Sequence, residues 1–276
     1  MSVLLFWNVG KQASPDVIAA VCREHDVDIL VLAECDVPSA RLVDRFDIRG
    51  PTRLREVQGP APGIVRFCSR IPARFWEPVH DDRRWSIRHI NPPIGIPLLL
   101  VAVHLPSKLR GEDDDRYYVV RQLRDDISKA EKKFGHQNTV VMGDFNLNPF
   151  EKPMLAADGL HAMMDKDVAR RLPRTVQGTS WDYFYNPMWS RLGDESDGPP
   201  GSYFYADSGV VTQFWHMFDQ VLLRPGLLTR YRPGDVSIIS HFGGQPILNR
   251  QAGRDGHSDH LPIMLKLAIE MEVRDE

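Results

Sequence analysis

The prediction of the fold starts from the stretch Val140-Val141-Met142-Gly143-Asp144-Phe145-Asn146 in the middle of the chain. Its apolar first half, together with Thr139, predicts a buried β-strand, which Gly143 and Asp144 interrupt. A carboxylate at the end of such a strand needs a partner, because a buried and unpaired charge is costly. We therefore expect Asp144 and Asn146 to face a functional cleft.

Several other apolar stretches also end in polar side chains. These residues are Asn8, Glu34, His104, Asp219, Asp259 and His260. Repeated strand ends of this kind predict one shared polar cleft, whose charges pair with each other or bind a metal. The set contains oxygen and imidazole ligands but no thiolate, which favours magnesium, manganese or calcium over zinc. Such an ion neutralises the charge of a phosphate ester, so the pattern indicates a metal-dependent phosphoesterase.

The order of the predicted elements indicates an α/β protein of packed sheets covered by helices. Helices are expected at residues 15–25, 38–46 and 112–134, with Ser14 capping the first. Strands are expected at residues 3–8, 28–33, 64–68, 73–77, 85–91, 98–104, 139–142, 217–223, 236–239 and 262–269. Many strands follow one another directly, which argues against a purely parallel sheet. The segment 186–209, rich in Gly, Pro and aromatics, is expected to be a long surface loop.

The composition is that of a globular protein, which we expect to form one catalytic domain over residues 1–276. The 276 residues carry a formal net charge of −3, which argues against non-specific coating of nucleic acid. No apolar run is long enough for a membrane helix, and the apolar first residues lack the features of a signal peptide. A cytoplasmic protein without a membrane partner is therefore expected. The three cysteines have no CxxC spacing, which excludes a zinc site of that type.

Six motifs resemble those of the endonuclease/exonuclease/phosphatase superfamily, which includes pancreatic-type deoxyribonucleases, apurinic endonucleases and inositol polyphosphate 5-phosphatases. In family order they are Trp7-Asn8, Leu32-Ala33-Glu34, His104-Leu105-Pro106-Ser107, Gly143-Asp144-Phe145-Asn146, Phe218-Asp219-Gln220 and Ser258-Asp259-His260. They span nearly the whole chain. The resemblance implies a four-layer α/β sandwich, in which two mixed sheets pack face to face with helices outside.

The resemblance also implies roles for these residues in an in-line attack of water on a phosphate. Glu34 is implied as the main ligand of Mg²⁺ or Mn²⁺, with Asn8 close by and Asp259 contributing. Asp144 would orient or deprotonate the water, and Asn146 would hold the water or a phosphate oxygen. His260 would donate to the non-bridging oxygens. Asp219 would fix its ring, and His104 would contact the phosphate or assist the leaving group.

The chain departs from the family pattern at three positions. Gly10 stands where many relatives carry an Asp. The apurinic branch has Tyr at the position of His104, and Trp at the position of His216. These departures argue against a specialist for abasic sites. The consecutive Ser258-Asp259-His260 are not a catalytic triad, since their side chains cannot stack in a relay; Ser258 is expected to bond the loop backbone.

Three functions remain open on the sequence alone. A nuclease acting on DNA or RNA is favoured by His104, by the aromatic segment and by an arginine-rich stretch. That stretch contains Arg41, Arg45, Arg49, Arg53, Arg55, Arg66, Arg70 and Arg74, and is either a phosphate track or a solvated surface. A phosphatase or phosphodiesterase for small molecules or lipid head groups is favoured by the near-neutral charge and by Gly10. A non-catalytic binding module is the weakest reading, because the motif residues are intact.

Overall fold

A computed structural model describes residues 1–10, 14–47, 54–57, 65–107, 113–171, 173–206, 209–210, 212–248 and 258–271. Of the predicted features, Arg49 and Arg53 lie outside these ranges. So do the predicted first residues of the strand at 64–68 and of the helix at 112–134.

The strands, in chain order, are β1 (Ser2–Asn8), β2 (Ile29–Ala33), β3 (Arg55–Val57), β4 (Val65–Ser69), β5 (Trp76–Asp81), β6 (Trp85–Ile90), β7 (Leu98–His104), β8 (Thr139–Asp144), β9 (Ala162–Met163), β10 (Arg174–Val176), β11 (Thr179–Trp181), β12 (Phe184–Tyr185), β13 (Tyr203–Phe204), β14 (Trp215–His216), β15 (Asp219–Leu223), β16 (Val236–Ile238), β17 (His241–Phe242), β18 (Gln245–Pro246) and β19 (Ile263–Leu267). The α-helices are α1 (Pro15–Glu24), α2 (Ser39–Asp47), α3 (Asp113–Phe134), α4 (Lys152–Leu155) and α5 (Lys166–Ala169). Short 3₁₀ helices occupy Ala73–Phe75, Pro187–Arg191 and Pro225–Leu227.

Within the described ranges, two large sheets form the centre of the fold. One has the strand order β16-β19-β1-β2-β4-β3, and the other has the order β5-β6-β7-β8-β15-β12-β9. Both are mixed: β1 runs parallel to β2 but antiparallel to β19, and β8 runs parallel to β7 but antiparallel to β15. Side chains of both sheets, such as Trp7 and Met142, belong to one buried apolar cluster.

Helices cover the outer faces of the sheets. Leu123 and Ile127 of α3 pack with Val101 and Val141 on the outside of the second sheet. On the other side, α1 and α2 pack through apolar residues such as Ile18 and Phe46. This arrangement confirms the predicted four-layer α/β sandwich. In the described part of the chain, each helix is either too short or too polar to span a membrane.

Three local predictions need correction. Ser14 stands at the N-cap of α1, but its side chain makes no capping hydrogen bond. The strand expected at 73–77 begins only at Trp76, because Ala73–Phe75 forms a 3₁₀ turn. The segment 186–209 is not simply a surface loop. Asn186 and Ser202 are fully buried there. Their polar groups have partners, since the Asn186 amide donates to Gln220 and the Ser202 hydroxyl accepts from the Asp219 backbone.

A buried ion pair joins α3 to the second sheet and yields a first prediction. Arg224 donates to both carboxylate oxygens of Glu131, at 2.8 and 3.0 Å, and Thr139 Oγ1 donates to the same carboxylate at 2.7 Å. Glu131→Gln leaves the guanidinium buried without a counter-charge. We expect it to lower the free energy of unfolding by about 3–5 kcal/mol.

Urea denaturation of both variants measures the difference. The matched control is Glu77→Gln, since Glu77 pairs with Lys133 but both side chains are about half exposed. That substitution is expected to cost about 0–1 kcal/mol. If both variants lost the same free energy of unfolding, burial would not increase the contribution of the Arg224–Glu131 pair to stability.

Candidate active site

The strand ends that carry polar residues meet at one edge of both sheets. In the second sheet, His104 is the register partner of Asp144, and Asp144 is the partner of Asp219. In the first sheet, Asn8 pairs with Ala33, which places Glu34 next along the same edge. Because the two sheets pack face to face, these strand ends lie beside one another.

One cleft of about 720 Å³ lies at this edge. Six of the eight predicted site residues line it, namely Glu34, His104, Asp144, Asn146, Asp259 and His260. The other two, Asn8 and Asp219, are buried and hydrogen-bond to residues of the cleft. The structure therefore brings all eight residues into one neighbourhood.

Asp144 and Glu34 share their hydrogen-bond partners. Asn8 Nδ2 donates to Asp144 Oδ2 at 3.1 Å and to Glu34 Oε1 at 3.4 Å. His104 Nε2 lies 3.2 Å from Glu34 Oε1 and 3.8 Å from Asp144 Oδ2. The hydrogen bond from His104 lowers the pKa of Glu34 to about 2, although partial burial acts in the opposite direction. Glu34 is therefore a carboxylate at neutral pH.

The same contacts act on His104. Burial by itself lowers the pKa of this imidazole, but the hydrogen bond to Glu34 and the nearby charge of Asp144 outweigh that effect and raise it. The 3.2 Å contact with Glu34 Oε1 suits His104 Nε2 to donate a hydrogen bond in the cleft.

His260 and Asp219 form a buried pair behind Asp144. His260 Nδ1 donates to Asp219 Oδ2 at 2.8 Å, and His260 Nε2 lies 3.8 Å from Asp144 Oδ2. Burial lowers the pKa of His260, but the carboxylates of Asp219 and Asp144 outweigh it and raise that pKa. Burial also raises the pKa of Asp219, and the charge of His260 opposes this rise. The arrangement favours an imidazolium–carboxylate pair whose Nε2–H points to the cleft.

The stretch of residues 140–146, from which the fold was predicted, also fixes the backbone of the site. A Cβ on Gly143 would lie 2.0 Å from the carbonyl oxygen of Val103, so only glycine lets β7 and β8 approach here. Asn146 adopts a φ of 50° and donates its backbone N–H to Asp144 Oδ1 at 2.8 Å. Its side-chain amide donates to the Leu105 carbonyl at 2.8 Å. These bonds hold both side chains in place.

Ser258 acts on the backbone, as predicted. Its hydroxyl donates to the Asn8 carbonyl at 2.7 Å and accepts from the His260 backbone N–H at 3.0 Å. The loop before β19 is thereby fixed to the end of β1. This confirms that Ser258 bonds the loop backbone.

Three of the six described arginines of the arginine-rich stretch form ion pairs. Arg45 pairs with Asp16 at 3.2 Å, Arg66 with Glu56 at 3.0 Å, and Arg70 with Asp28 at 3.0 Å. These carboxylate partners favour the interpretation of the stretch as a solvated surface over its interpretation as a track for phosphates. Arg66 does line the cleft, but its guanidinium is held by Glu56 and by backbone carbonyls.

Other residues of the cleft were not among the predicted site residues or their motifs. They are Cys35, Asp36, Arg83, Arg84 and Tyr203. The ring of Tyr203 packs 4.5 Å from that of His260, centroid to centroid. For Arg83 and Arg84 a signal existed, because two adjacent cations stand directly before the predicted strand that precedes the His104 strand in the chain.

Among the described residues, a further compact group that could hold a metal ion is Asp144, Asp219 and His260. The close approach within that group already has an explanation in the hydrogen-bonded His260–Asp219 pair. Asn8 turns its NH₂ group toward the acids, while its Oδ1 accepts from the Gly10 N–H at 3.3 Å. As placed, Asn8 supplies a donor rather than a ligand oxygen.

Comparisons with solved structures show the same fold in several proteins. Truncated Caenorhabditis elegans TDP2 is 13% identical, with 96% of this chain and 97% of that chain covered at a TM-score of 0.55. An endonuclease/exonuclease/phosphatase family protein from Leptotrichia buccalis C-1013-b is 14% identical, with 97% and 99% covered at a TM-score of 0.55. An AP endonuclease from Archaeoglobus fulgidus is 15% identical, with 99% and 100% covered at a TM-score of 0.52.

At these identities the likeness to solved structures shows the fold alone. No curated protein matches the chain. The family model described as "Endonuclease/Exonuclease/phosphatase family" matches residues 5–240, which is most of the sequence. The chain therefore belongs to the endonuclease/exonuclease/phosphatase family, whose members are phosphoesterase hydrolases.

Proposed function

We propose that this protein is a divalent-metal-dependent nuclease that cleaves a phosphodiester bond of DNA or RNA. The observation that carries the proposal is the setting of Asp144. Its side chain is buried, its Oδ1 is fixed by the Asn146 N–H, and its Oδ2 faces His260 Nε2 across 3.8 Å. A held carboxylate beside an imidazolium suits the removal of a proton from water next to a phosphate. The Archaeoglobus fulgidus relative, named an AP endonuclease, supports a nucleic acid substrate.

In this mechanism each side chain has one task. Asp144 accepts a proton from the attacking water, and Asn146 orients the water or a phosphate oxygen. The Nε2–H of His260 donates to the non-bridging oxygens, where charge grows in the transition state. Asp219 holds the ring in the orientation that leaves Nε2–H toward the cleft. His104 contacts the phosphate or donates to the leaving oxygen.

The donor set fits a hard divalent ion, which we propose to be Mg²⁺ or Mn²⁺. Glu34 is ionised and about two-fifths exposed to the cleft, and Asp259 lines the same cleft. These two carboxylates would hold the ion, joined by Asn8 Oδ1 if the amide is rotated. Carboxylate and amide oxygens are the ligands that such ions prefer. When bound, the ion supplies positive charge that neutralises the phosphate.

A phosphatase that acts on a small phosphate ester is the second candidate. The near-neutral charge of the chain favours it, since a net charge of −3 gives no general attraction to nucleic acid. A non-catalytic module is disfavoured, because the hydrogen bonds of Asp144, Asp219 and His260 are all in place.

The test compares four substrates, which are plasmid, single-stranded DNA, RNA and an inositol phosphate. We expect cleavage of at least one nucleic acid with Mg²⁺ or Mn²⁺ and none with a chelator. Glu34→Gln is expected to raise the metal concentration needed for half activity by on the order of 10–100-fold, since it removes the principal carboxylate ligand. Product formation is followed by gel electrophoresis and phosphate release.

Two outcomes would change the assignment. Metal-dependent release from the inositol phosphate alone would favour the phosphatase. Nucleic acid cleavage that persists unchanged in Asp144→Ala would come from another site or another protein.

A further inference from the structure

Two arginines of the cleft have no task in the proposed mechanism. Arg83 and Arg84 form the turn between β5 and β6 and line the cleft together with His104 and Asp144. Arg83 is exposed and Arg84 partly so. Within the described part of the chain, neither guanidinium has an ion-pair or hydrogen-bond partner. This differs from Arg66, which is bound to Glu56.

The turn that carries these arginines is held in one shape. Asp82 Oδ1 accepts from the backbone N–H of Arg84 at 2.6 Å and from that of Trp85 at 3.0 Å. The Asp82 N–H in turn donates to the Trp85 carbonyl at 3.1 Å. Trp85 is itself buried and anchors the start of β6. A fixed turn lowers the entropy that is lost when its side chains bind an anion.

The sheet places Arg84 at a defined distance from the site. The N–H of His104 donates to the Arg84 carbonyl at 2.7 Å, and His104 is the register partner of Asp144. Neighbouring strands lie about 4.8 Å apart, so the Arg84 backbone lies roughly 10 Å from that of Asp144. A long side chain on this turn can reach a group beside the scissile phosphate.

The charges in the cleft indicate which group that is. In the proposed mechanism His260, Asn146 and the metal ion already serve the phosphate that is cleaved. Two cations that have no carboxylate partner among the described residues, on the rim of a cleft whose other arginine is bound by Glu56, fit a second anion. Guanidinium groups bind phosphate through paired N–H donors in a fixed fork.

We propose that Arg83 and Arg84 bind the phosphate next to the cleaved one in a nucleic acid strand, which makes them residues of substrate specificity. This inference rests on the proposed nuclease function. A substrate with a single phosphodiester lacks the group that they bind. The enzyme should therefore prefer strands of three or more nucleotides over a dinucleoside monophosphate, and this preference should depend on the two arginines.

The experiment measures kcat/KM on a dinucleoside monophosphate and on a short single-stranded oligonucleotide of the preferred sugar type. With Arg83→Gln and Arg84→Gln, we expect kcat/KM on the oligonucleotide to fall on the order of tenfold for each arginine removed, mainly through KM. The value on the dinucleoside monophosphate should stay the same. The slope of log(1/KM) against log[salt] should become shallower by about 0.7 in the double variant, because one phosphate loses its cationic partners.

The matched control is Arg74→Gln. Arg74 precedes β5 at the other end of the same β-ribbon, is exposed, and stacks over Phe75 rather than lining the cleft. It should leave both substrates unaffected. The double variant with Lys at both positions should keep the salt slope while losing part of the affinity, because lysine retains charge but not the paired donors. Thermal melting verifies that every variant is folded.

The failures of the two proposals are distinguishable. If the wild-type protein cleaves both substrates and the double variant loses activity on neither, or equally on both, the second-phosphate site is wrong and the nuclease function stands. If the wild-type protein cleaves neither, both proposals are wrong. An inositol bisphosphate is the third substrate. If the double variant loses activity on it alone, the arginines bind a small polyphosphate, and their assignment to a nucleic acid phosphate is wrong.

Discussion

Asp144→Asn is expected to lower kcat by about 10²–10⁴-fold with little change in KM, since it removes the proposed base without removing substrate contacts. The variant has nearly the same shape. Asn can still accept from the Asn146 N–H through an oxygen, so the turn after β8 should remain intact. The measurement is steady-state kcat on the substrate that the wild-type protein cleaves best.

The control for this variant is Asp167→Asn on α5, where the side chain is 87% exposed and pairs with Arg170, the residue that follows the helix. It should leave kcat unchanged. Melting temperatures of both variants should match the wild type, which separates loss of chemistry from loss of fold. A kcat for Asp144→Asn within about threefold of wild type would assign the base to another residue, because a general base contributes about 10²-fold or more.

His260→Gln is expected to lower kcat by about 10²–10³-fold, because it removes the charged donor to the phosphate oxygens. The dependence of kcat/KM on pH tests whether His260 acts as a charged donor. The carboxylates of Asp219 and Asp144 outweigh burial and raise the pKa of His260 above its usual 6.5. The imidazolium is therefore present at neutral pH, and activity should be lost as pH rises through this raised pKa.

Asp219→Asn isolates the part of that shift that comes from Asp219. Removing the carboxylate lowers the pKa of His260, so the alkaline limb of the kcat/KM profile should move to lower pH. His241→Gln, on the exposed residue of β17, is the control and should leave the limb in place. An identical alkaline limb in wild type and Asp219→Asn would show that His260 is not the titrating donor.

Much of the site could be predicted from the chain because its residues stand where apolar strands end. Alternation and apolar runs report which strands are buried, and the termini of parallel neighbours lie at one edge of a sheet. Asn8, Glu34, His104 and Asp144 all follow that rule. The antiparallel β15 brings Asp219 to the same edge because it begins where β8 ends.

Other residues of the cleft follow no such pattern. Ser202 and Tyr203 lie in a segment expected to be a surface loop, yet they contact Asp219 and His260. Arg66 belongs to the stretch that suggested a phosphate track, but Glu56 holds it. Arg83 and Arg84 lie outside that stretch and also line the cleft. Local composition does not report which cation finds a carboxylate partner.

The amino-acid sequence by itself determined the mixed α/β architecture and which polar residues stand at the strand ends, because periodicity is a property of neighbours along the chain. Only the tertiary structure decided the partner of each side chain. Asn8 donates to Asp144 across 136 positions, and His260 pairs with Asp219 across 41. A hydrogen bond requires contact within about 3 Å, and such contact between distant positions exists only once both sheets are packed.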